Sequence, residues 1–401
     1  MPRPDSERVV VTGLGLVSPL GANLQDNVTT LRAARDCVTP VTTFDVSGCR
    51  SKTAGQIPDD WLAAASTVTP RARQQSRASR MTLLAVDEAL RHAPDFRPDL
   101  AVIGTTSGGM TLGEDFYRRA RDGELSSRDA RLLRGYVPQQ PAFDAFAPFG
   151  IDAPLRVLSN ACASGTNAIG YAFHLVRAGR KRRVLCGGYD ALAELVFAGF
   201  DSLQASTGEK PRPFDRARTG LALGEGAAIV LLESLADARA ANHPILAEVT
   251  GYGDSTDNFH LTQPNPDGSG PRRSMETALT DAGLVPTDID YVNAHGTATR
   301  FNDACEARAI EAVCPTAAVS STKGQMGHAL GAAGAIEAAF CVLALQHQFL
   351  PANLHFEAPD DDVHLDIVAN SVRDTAPTRV LSNSLGFGGA NATLILERAP
   401  A

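Results

Sequence analysis

The sequence lacks an excess of positive charge. Its 37 lysine and arginine residues are outnumbered by 45 aspartate and glutamate residues, which gives a formal net charge of −8. A mildly acidic chain has no overall attraction for the phosphates of nucleic acid, although a local basic patch is compatible with this balance. We therefore expect no nucleic-acid partner.

Long apolar runs and paired cysteines are also missing. The longest apolar stretch, residues 331–346, contains Glu337 and falls short of the ~20 residues that span a membrane. The N-terminus lacks the basic-then-apolar pattern of a signal peptide. The seven cysteines are odd in number and no two have C-x-x-C spacing, so neither a disulfide framework nor a zinc site is expected. These absences predict a cytoplasmic protein with no membrane partner.

Short β-branched runs alternate with helical patterns along the 401 residues. This alternation predicts an α/β protein with mixed sheets. Strands are expected at residues 9–12, 100–104, 183–187, 245–249, 289–293 and 392–397. Helices are expected at residues 79–92, 165–178, 274–282 and 331–346. The glycines of residues 13–15 lack the third glycine of a dinucleotide fingerprint, and we interpret them as a turn between a strand and a helix.

One pattern occurs twice. A turn of small residues opens an apolar helix at residues 161–176 and again at residues 328–343. Both segments are rich in alanine and glycine, which allows helices to pack closely. The similarity suggests two alike halves that meet near residue 240. We therefore predict an N-terminal half, residues 1–240, and a C-terminal half, residues 241–401.

Cys162 lies in a run of small residues, SNACASGTN, directly before a predicted helix. The positive end of that helix and its free N–H groups would favour a thiolate and could bind an oxyanion. A buried structural cysteine is the alternative, because free cysteines are usually buried. From these residues alone both interpretations stay open.

Three later segments carry further polar residues in settings of small residues. His295 follows a predicted strand, Lys323 and His328 precede an apolar helix that contains Glu337, and residues 382–397 hold a glycine-rich loop. Taken singly, each has an ordinary explanation: a hydrogen-bonded loop histidine, polar residues at a helix start, and a tight turn. Together with Cys162 they indicate thiol chemistry on an acyl group.

At this point the motifs resemble those of a known family, the β-ketoacyl-[acyl carrier protein] synthases. The similar branch contains the fatty-acid elongating enzymes and the type II polyketide ketosynthases. The matching segments are RVVVTGLGLVSPLG (8–21), ACASGTNAIG (161–170), PRPFDRARTGLALGEGAAIVLLE (211–233), NAHGTAT (293–299), STKGQMGHALGAAGAIE (321–337) and NSLGFGGAN (383–391).

The resemblance implies a thiolase-type fold, in which two similar α/β halves form five αβαβα layers. It places the nucleophile in the N-terminal half, and the histidines, the lysine and the glycine-rich gate in the C-terminal half. The implied roles are Cys162 as acyl carrier, His295 and His328 as decarboxylation and enolate-binding residues, Lys323 as their support, Glu337 as a buried neighbour, and Phe387 as gate. The backbone N–H groups of Cys162 and Phe387 would form the oxyanion hole.

The same resemblance implies a decarboxylative Claisen condensation between acyl and malonyl groups, without a metal or another cofactor. The implied partners are acyl carrier protein, in acyl and malonyl forms, and a second subunit. That subunit is either an identical chain or a chain-length factor, so a fatty-acid enzyme and a specialised polyketide ketosynthase both fit. Arg71, Arg73, Arg77 and Arg80 form a cationic cluster that would receive an acidic carrier, with a solvated helix face as the alternative.

Two positions depart from the family pattern and suggest an altered acyl pocket. Leu385 occupies a place where close relatives often have phenylalanine, and Ser107 one where a bulkier side chain can restrict the pocket. Both changes predict a longer or more rigid acyl chain, unless other residues refill the space.

Other classes fit the residues less well. A thiolase would need a second cysteine near the end of the chain, and a condensing enzyme with a Cys-His-Asn set would have asparagine at His328. A non-catalytic chain-length factor would lack Cys162.

Overall fold

Strands and helices alternate throughout the structure, a computed structural model that describes residues 3–361 and 363–399. The strands are β1 (Val9–Val17), β2 (Val38–Pro40), β3 (Thr53–Gly55), β4 (Leu100–Gly104), β5 (Leu155–Leu158), β6 (Arg183–Asp190), β7 (Leu223–Gly224), β8 (Gly226–Ser234), β9 (Ala247–Thr256), β10 (Tyr291–Asn293), β11 (Ala318–Ser320), β12 (Phe349–Leu350), β13 (Asp366–Ile367), β14 (Arg373–Asp374), β15 (Arg379–Gly386) and β16 (Ala390–Arg398).

The helices cover both short and long segments. They are α1 (Leu24–Arg32), α2 (Asp59–Ala63), α3 (Ala65–Val68), α4 (Arg77–His92), α5 (Met110–Arg121), α6 (Ala130–Tyr136), α7 (Gln140–Phe146), α8 (Ser164–Arg177), α9 (Glu194–Ser202), α10 (Leu235–Ala241), α11 (Ser269–Ala282), α12 (Arg300–Val313), α13 (Lys323–Met326) and α14 (Ala333–His347).

Each predicted strand and helix is present, and the differences lie at the ends. The expected turn at Gly13 and Gly15 is wrong, because both glycines lie inside β1. A Cβ atom at Gly15 would lie 1.9 Å from the carbonyl oxygen of Ala85 in α4. These glycines therefore let helix α4 pack directly on β1, whereas the sequence analysis expected them to form a turn.

The strand order repeats itself, which confirms the predicted duplication of the fold. The N-terminal strands lie in the order β5-β4-β6-β8-β1 and the C-terminal strands in the order β11-β10-β15-β16-β9. In each set the first two pairings are parallel and the last two are antiparallel. An antiparallel pairing of β1 with β9 joins the two sets. The sequence boundary near residue 240 stays a prediction.

The helices form three layers around these strands. Helix α4 packs on β1 and β8, α11 packs on β9 and β16, and α8 and α14 lie between the two sets of strands. The segment Leu330–His347 is long and apolar enough to cross a membrane by composition, yet 89% of it is buried inside the fold. It is the core helix of the central layer, which confirms the αβαβα arrangement.

Helices α8 and α14 approach each other through glycine. A Cβ atom at Gly165 in α8 would lie 2.7 Å from the backbone nitrogen of Ala335 in α14. A Cβ atom at Gly334 in α14 would lie 2.0 Å from the Thr166 hydroxyl in α8. Since Cys162 precedes α8 and His328 precedes α14, this contact sets how closely the two residues can meet.

We predict that Gly165→Ala destabilises the protein although alanine is the better helix former. Alanine gains ~1 kcal/mol in helix propensity, whereas overpacking against backbone costs ~1–3 kcal/mol. Gly199→Ala is the control, because Gly199 lies in α9 with no atom near its missing Cβ. Denaturant unfolding should show a lower free energy of unfolding for Gly165→Ala and an equal or higher one for Gly199→Ala. A stability gain in both variants would contradict the close helix contact.

Candidate active site

Cys162 lies in a tight turn between β5 and α8. Ala161 has the left-handed backbone angle φ of 46°, and the Ser164 hydroxyl donates to its carbonyl oxygen at 2.6 Å. Gly386 covers this turn so closely that a Cβ atom there would lie 3.3 Å from the backbone nitrogen of Cys162. The sulfur is consequently held at a fixed place in front of the helix.

The structure brings Cys162, His295 and His328 together. The sulfur and one ring nitrogen of each histidine lie within 4.8 Å of one another, and all three residues are buried. The two imidazole rings meet edge to face, with 5.1 Å between their centres. His295 comes from the end of β10 and His328 from the turn before α14, so a nucleophile from one half faces two imidazoles from the other.

Lys323 and Glu337 support this set from behind. The Lys323 ammonium forms a buried ion pair with Glu337 and lies 3.4 Å from Nδ1 of His295. Because lysine has only donors, Nδ1 must accept, and the proton of the neutral ring lies on Nε2. Burial raises the pKa of Glu337 to about 7, while Lys323 favours its charged form.

Burial controls the protonation of the three reacting groups. It lowers the pKa values of His295 and His328 well below the usual one, and the Lys323 cation acts in the same direction. It also raises the pKa of Cys162 to about 11, against the opposing effects of Lys323 and the Phe387 N–H group. For the pKa of Cys162, loss of hydration thus outweighs the effect of the helix end, and these shifts favour a thiol beside two neutral imidazoles.

His328 has unused hydrogen-bonding capacity. Neither of its ring nitrogens has a partner among the described residues, although the ring is buried. Buried polar atoms are normally hydrogen-bonded. An imidazole in this condition can accept a proton from a thiol or donate one to a substrate oxygen.

A cavity of about 420 Å³ opens beside the reacting groups. Its lining residues include Cys162, His295 and His328 and the apolar side chains of Phe200, Leu385 and Phe387. Phe387 stacks on Phe200 with 5.4 Å between ring centres, and its backbone N–H group lies near enough to Cys162 to lower the pKa of that thiol. Phe200 was not predicted as a site residue, because it is one of several apolar residues in α9. Leu385 lines the cavity as expected.

The glycine-rich loop is shorter than predicted. Residues 383–386 belong to β15 and residues 390–391 to β16, so the connection is only the hairpin tip 387–389. Gly388 and Gly389 have φ values of 85° and 82°, which glycine alone adopts readily. The tip is tied to a neighbouring loop by the Gly388 N–H group, which donates to Leu261.

Ser107 does not line this cavity. Its hydroxyl and its backbone N–H both donate to Oδ1 of the buried Asp190, each at 2.8 Å. The side chain thus helps to hold this carboxylate, and the role of Ser107 in the acyl pocket stays a prediction. Asp190 also accepts the N–H of Gly331 before α14 at 2.7 Å, and so joins the two halves close to the site.

The expected docking cluster of arginines is only partly exposed. Arg77 forms a buried ion pair with Glu225 and a second one with Asp59, so its inclusion as a docking residue is wrong. Arg71 and Arg73 are exposed and remain available to a partner.

Glu306 is a site residue that sequence reasoning missed. Its carboxylate accepts the backbone N–H groups of His295 and Gly296, both at 2.8 Å, and Asn383 adds a donor at 3.3 Å. Burial raises its pKa to about 7. An acidic residue inside a helix that follows the histidine segment was the available signal, and only the fold shows that it holds this loop.

Comparison with known proteins gives a consistent result over the whole chain. Residues 6–238 match the N-terminal domain of beta-ketoacyl synthase and residues 246–357 match its C-terminal domain. The 3-oxoacyl-[acyl-carrier-protein] synthase 2 of Synechocystis sp. is 36% identical, with 98% of this chain and 99% of the relative covered. A putative polyketide beta-ketoacyl synthase 1 of Streptomyces cyaneus is 35% identical, with 98% of both covered.

A solved structure agrees with these matches. The ishigamide ketosynthase/chain length factor superposes with a TM-score of 0.90 at 33% identity, covering 98% of this chain and 99% of the other. The likeness extends over the layered fold described above and over both halves of the chain. On these grounds the chain belongs to the β-ketoacyl synthase family of acyltransferases.

Proposed function

We propose that the protein accepts an acyl group on Cys162 and condenses it with a malonyl group, both delivered by acyl carrier protein. The observation that carries this proposal is the set of one thiol and two neutral imidazoles within 4.8 Å in a single cavity. Acyl transfer needs a nucleophile, a proton acceptor and oxyanion donors, and this cavity holds all three.

The first step is transfer of the acyl group. A free nitrogen of His328 takes the thiol proton as the Cys162 sulfur attacks the thioester carbonyl. The backbone N–H groups of Cys162 and Phe387 receive the oxyanion that forms. The bond to the carrier sulfur breaks, and that sulfur regains the proton from His328. The raised pKa of Cys162 makes this proton acceptor necessary.

The second step is decarboxylation and bond formation. Loss of CO₂ from the malonyl group leaves an enolate, whose oxygen accepts from Nε2–H of His295 and from His328. The enolate carbon attacks the acyl carbonyl, the oxyanion returns to the two backbone N–H groups, and the bond to Cys162 breaks. The released thiolate regains a proton from solvent. Lys323 supports the step by keeping the His295 proton on Nε2.

The partners follow from the same proposal. The carrier protein presents both substrates, and a second subunit of the same fold completes the enzyme, as an identical chain or as a chain-length factor. A specialised polyketide role with a chain-length factor is the second candidate, favoured by the likeness to the ishigamide complex. We place the enzyme in the cytoplasm, where a free catalytic thiol stays reduced.

Loss of single groups should separate the two steps. We predict that Cys162→Ala abolishes both acylation and condensation. His295→Ala should reduce decarboxylation of malonyl carrier protein by ~10²–10³-fold, the usual effect of removing one oxyanion donor, while acylation of Cys162 falls much less. Intact-mass measurement reports acylation and CO₂ release reports decarboxylation. Condensation by the Cys162→Ala variant would contradict the role of Cys162 as nucleophile. Equal losses in both steps for His295→Ala would contradict the role of His295 in binding the enolate.

Carrier docking can be tested on the exposed arginine. We predict that Arg73→Glu raises the KM for carrier-bound acyl substrate and leaves small thioester mimics unaffected, because charge reversal repels an acidic partner. Arg180→Glu is the matched control, since Arg180 is exposed beyond the far end of α8 from Cys162. Equal effects of the two variants, or an equal effect on both substrates, would rule out docking at Arg73.

A further inference from the structure

The reacting groups have the composition of a zinc site. Zinc takes thiolate sulfur at ~2.3 Å and imidazole nitrogen at ~2.0 Å in tetrahedral geometry, which sets neighbouring ligand atoms roughly 3.3–3.8 Å apart. The sulfur of Cys162 and one ring nitrogen each of His295 and His328 already lie within 4.8 Å of one another. The cavity beside them leaves the fourth position open.

One contact works against metal binding. Lys323 approaches Nδ1 of His295 at 3.4 Å, and its ammonium has protons but no lone pair. The ring proton therefore lies on Nε2, where a metal would need a lone pair. In metal sites the second nitrogen of a ligating histidine normally donates to a carboxylate or a carbonyl. His295 has the opposite arrangement, and the Lys323 charge also repels a divalent cation.

We propose that Lys323 keeps this Cys–His–His set free of metal by fixing the His295 proton on Nε2, so that its removal converts the set into a Zn²⁺ site. Lys323 is then a positioning residue with a protective role, which goes beyond support of the condensation. The inference concerns metal binding, and it can fail or succeed independently of the proposed acyl chemistry.

When Lys323 is replaced, metal binding requires only proton transfers and no change of oxidation state. The Cys162 thiol loses its proton to solvent and binds as thiolate. His295 moves its ring proton from Nε2 to Nδ1 and binds through Nε2. His328 already has two unpartnered ring nitrogens and binds through one of them. Water from the cavity fills the fourth position.

The experiment is a Co²⁺ titration of the full chain, followed by displacement with Zn²⁺. Cobalt replaces zinc in tetrahedral sites, and a cobalt–thiolate bond gives a near-ultraviolet charge-transfer band. We expect Lys323→Met to develop this band and to bind more tightly than wild type, by at least the ~10–100-fold typical of altered support of metal ligands. Adding Cys162→Ser should remove the band. Lys323→Leu replaces the Met variant if the latter lacks a cooperative unfolding transition.

Glu337→Gln is the matched control. It breaks the same buried ion pair but leaves the Lys323 ammonium beside His295, so it should bind no more cobalt than wild type. Cys37 and Cys49 are the cysteines that are only half-buried, and replacing both with serine should leave the new band unchanged. Equal cobalt binding by wild type and Lys323→Met, or a new band in Glu337→Gln, would overturn the proposal. Since no acyl substrate is used, these outcomes are distinct from a failure of condensation.

Discussion

The contact between helices α8 and α14 is the constraint on which the site depends. Gly165 and Gly334 allow the two helices to touch through their backbones. Cys162 lies in the segment between β5 and α8, and His328 lies in the corresponding segment of the second repeat, between β11 and α14. Each half has a loop that precedes its central helix. Because the two central helices pack against each other, the two loops face one another. The active centre is built across this internal symmetry, and each half alone would hold only part of it.

Burial rather than charge sets the chemical state of that centre. Three ionisable groups share one enclosed space, and each adopts its neutral form because the uncharged state costs least there. The nearby ion pair of Lys323 and Glu337 leaves little net charge. A neutral site suits a reaction whose charges appear only in its transition states, since fixed N–H donors then gain their full strength at that moment.

The strands, the helices, the duplication and the central site residues could be predicted from the sequence. The contacts that hold these residues in place could not. Cys162, His295, Lys323 and His328 stand in motifs of small residues that are visible without a fold. Asp190 accepts the N–H group of Gly331, 141 residues further along the chain, so no local pattern marks it. Glu306 accepts the N–H group of His295, 11 residues before it, but only the fold shows this contact. Burial could not be predicted from the sequence either. It raises the pKa of Cys162, which opposes the effect of the helix end. The buried ion pair with Glu225 also withdraws Arg77 from the expected docking surface.

The residues at the cavity entrance and the reacting residues lie on different kinds of backbone structure. The groups that we propose as catalytic lie at buried strand ends and helix starts, where backbone N–H groups donate to Glu306 and Asp190 and so hold the loops in place. Phe387 instead sits on a three-residue hairpin tip whose two glycines have left-handed backbone angles. Its side chain stacks on Phe200 with 5.4 Å between ring centres. One residue of this tip therefore contributes both an aromatic side chain to the cavity wall and a backbone N–H group beside the Cys162 sulfur.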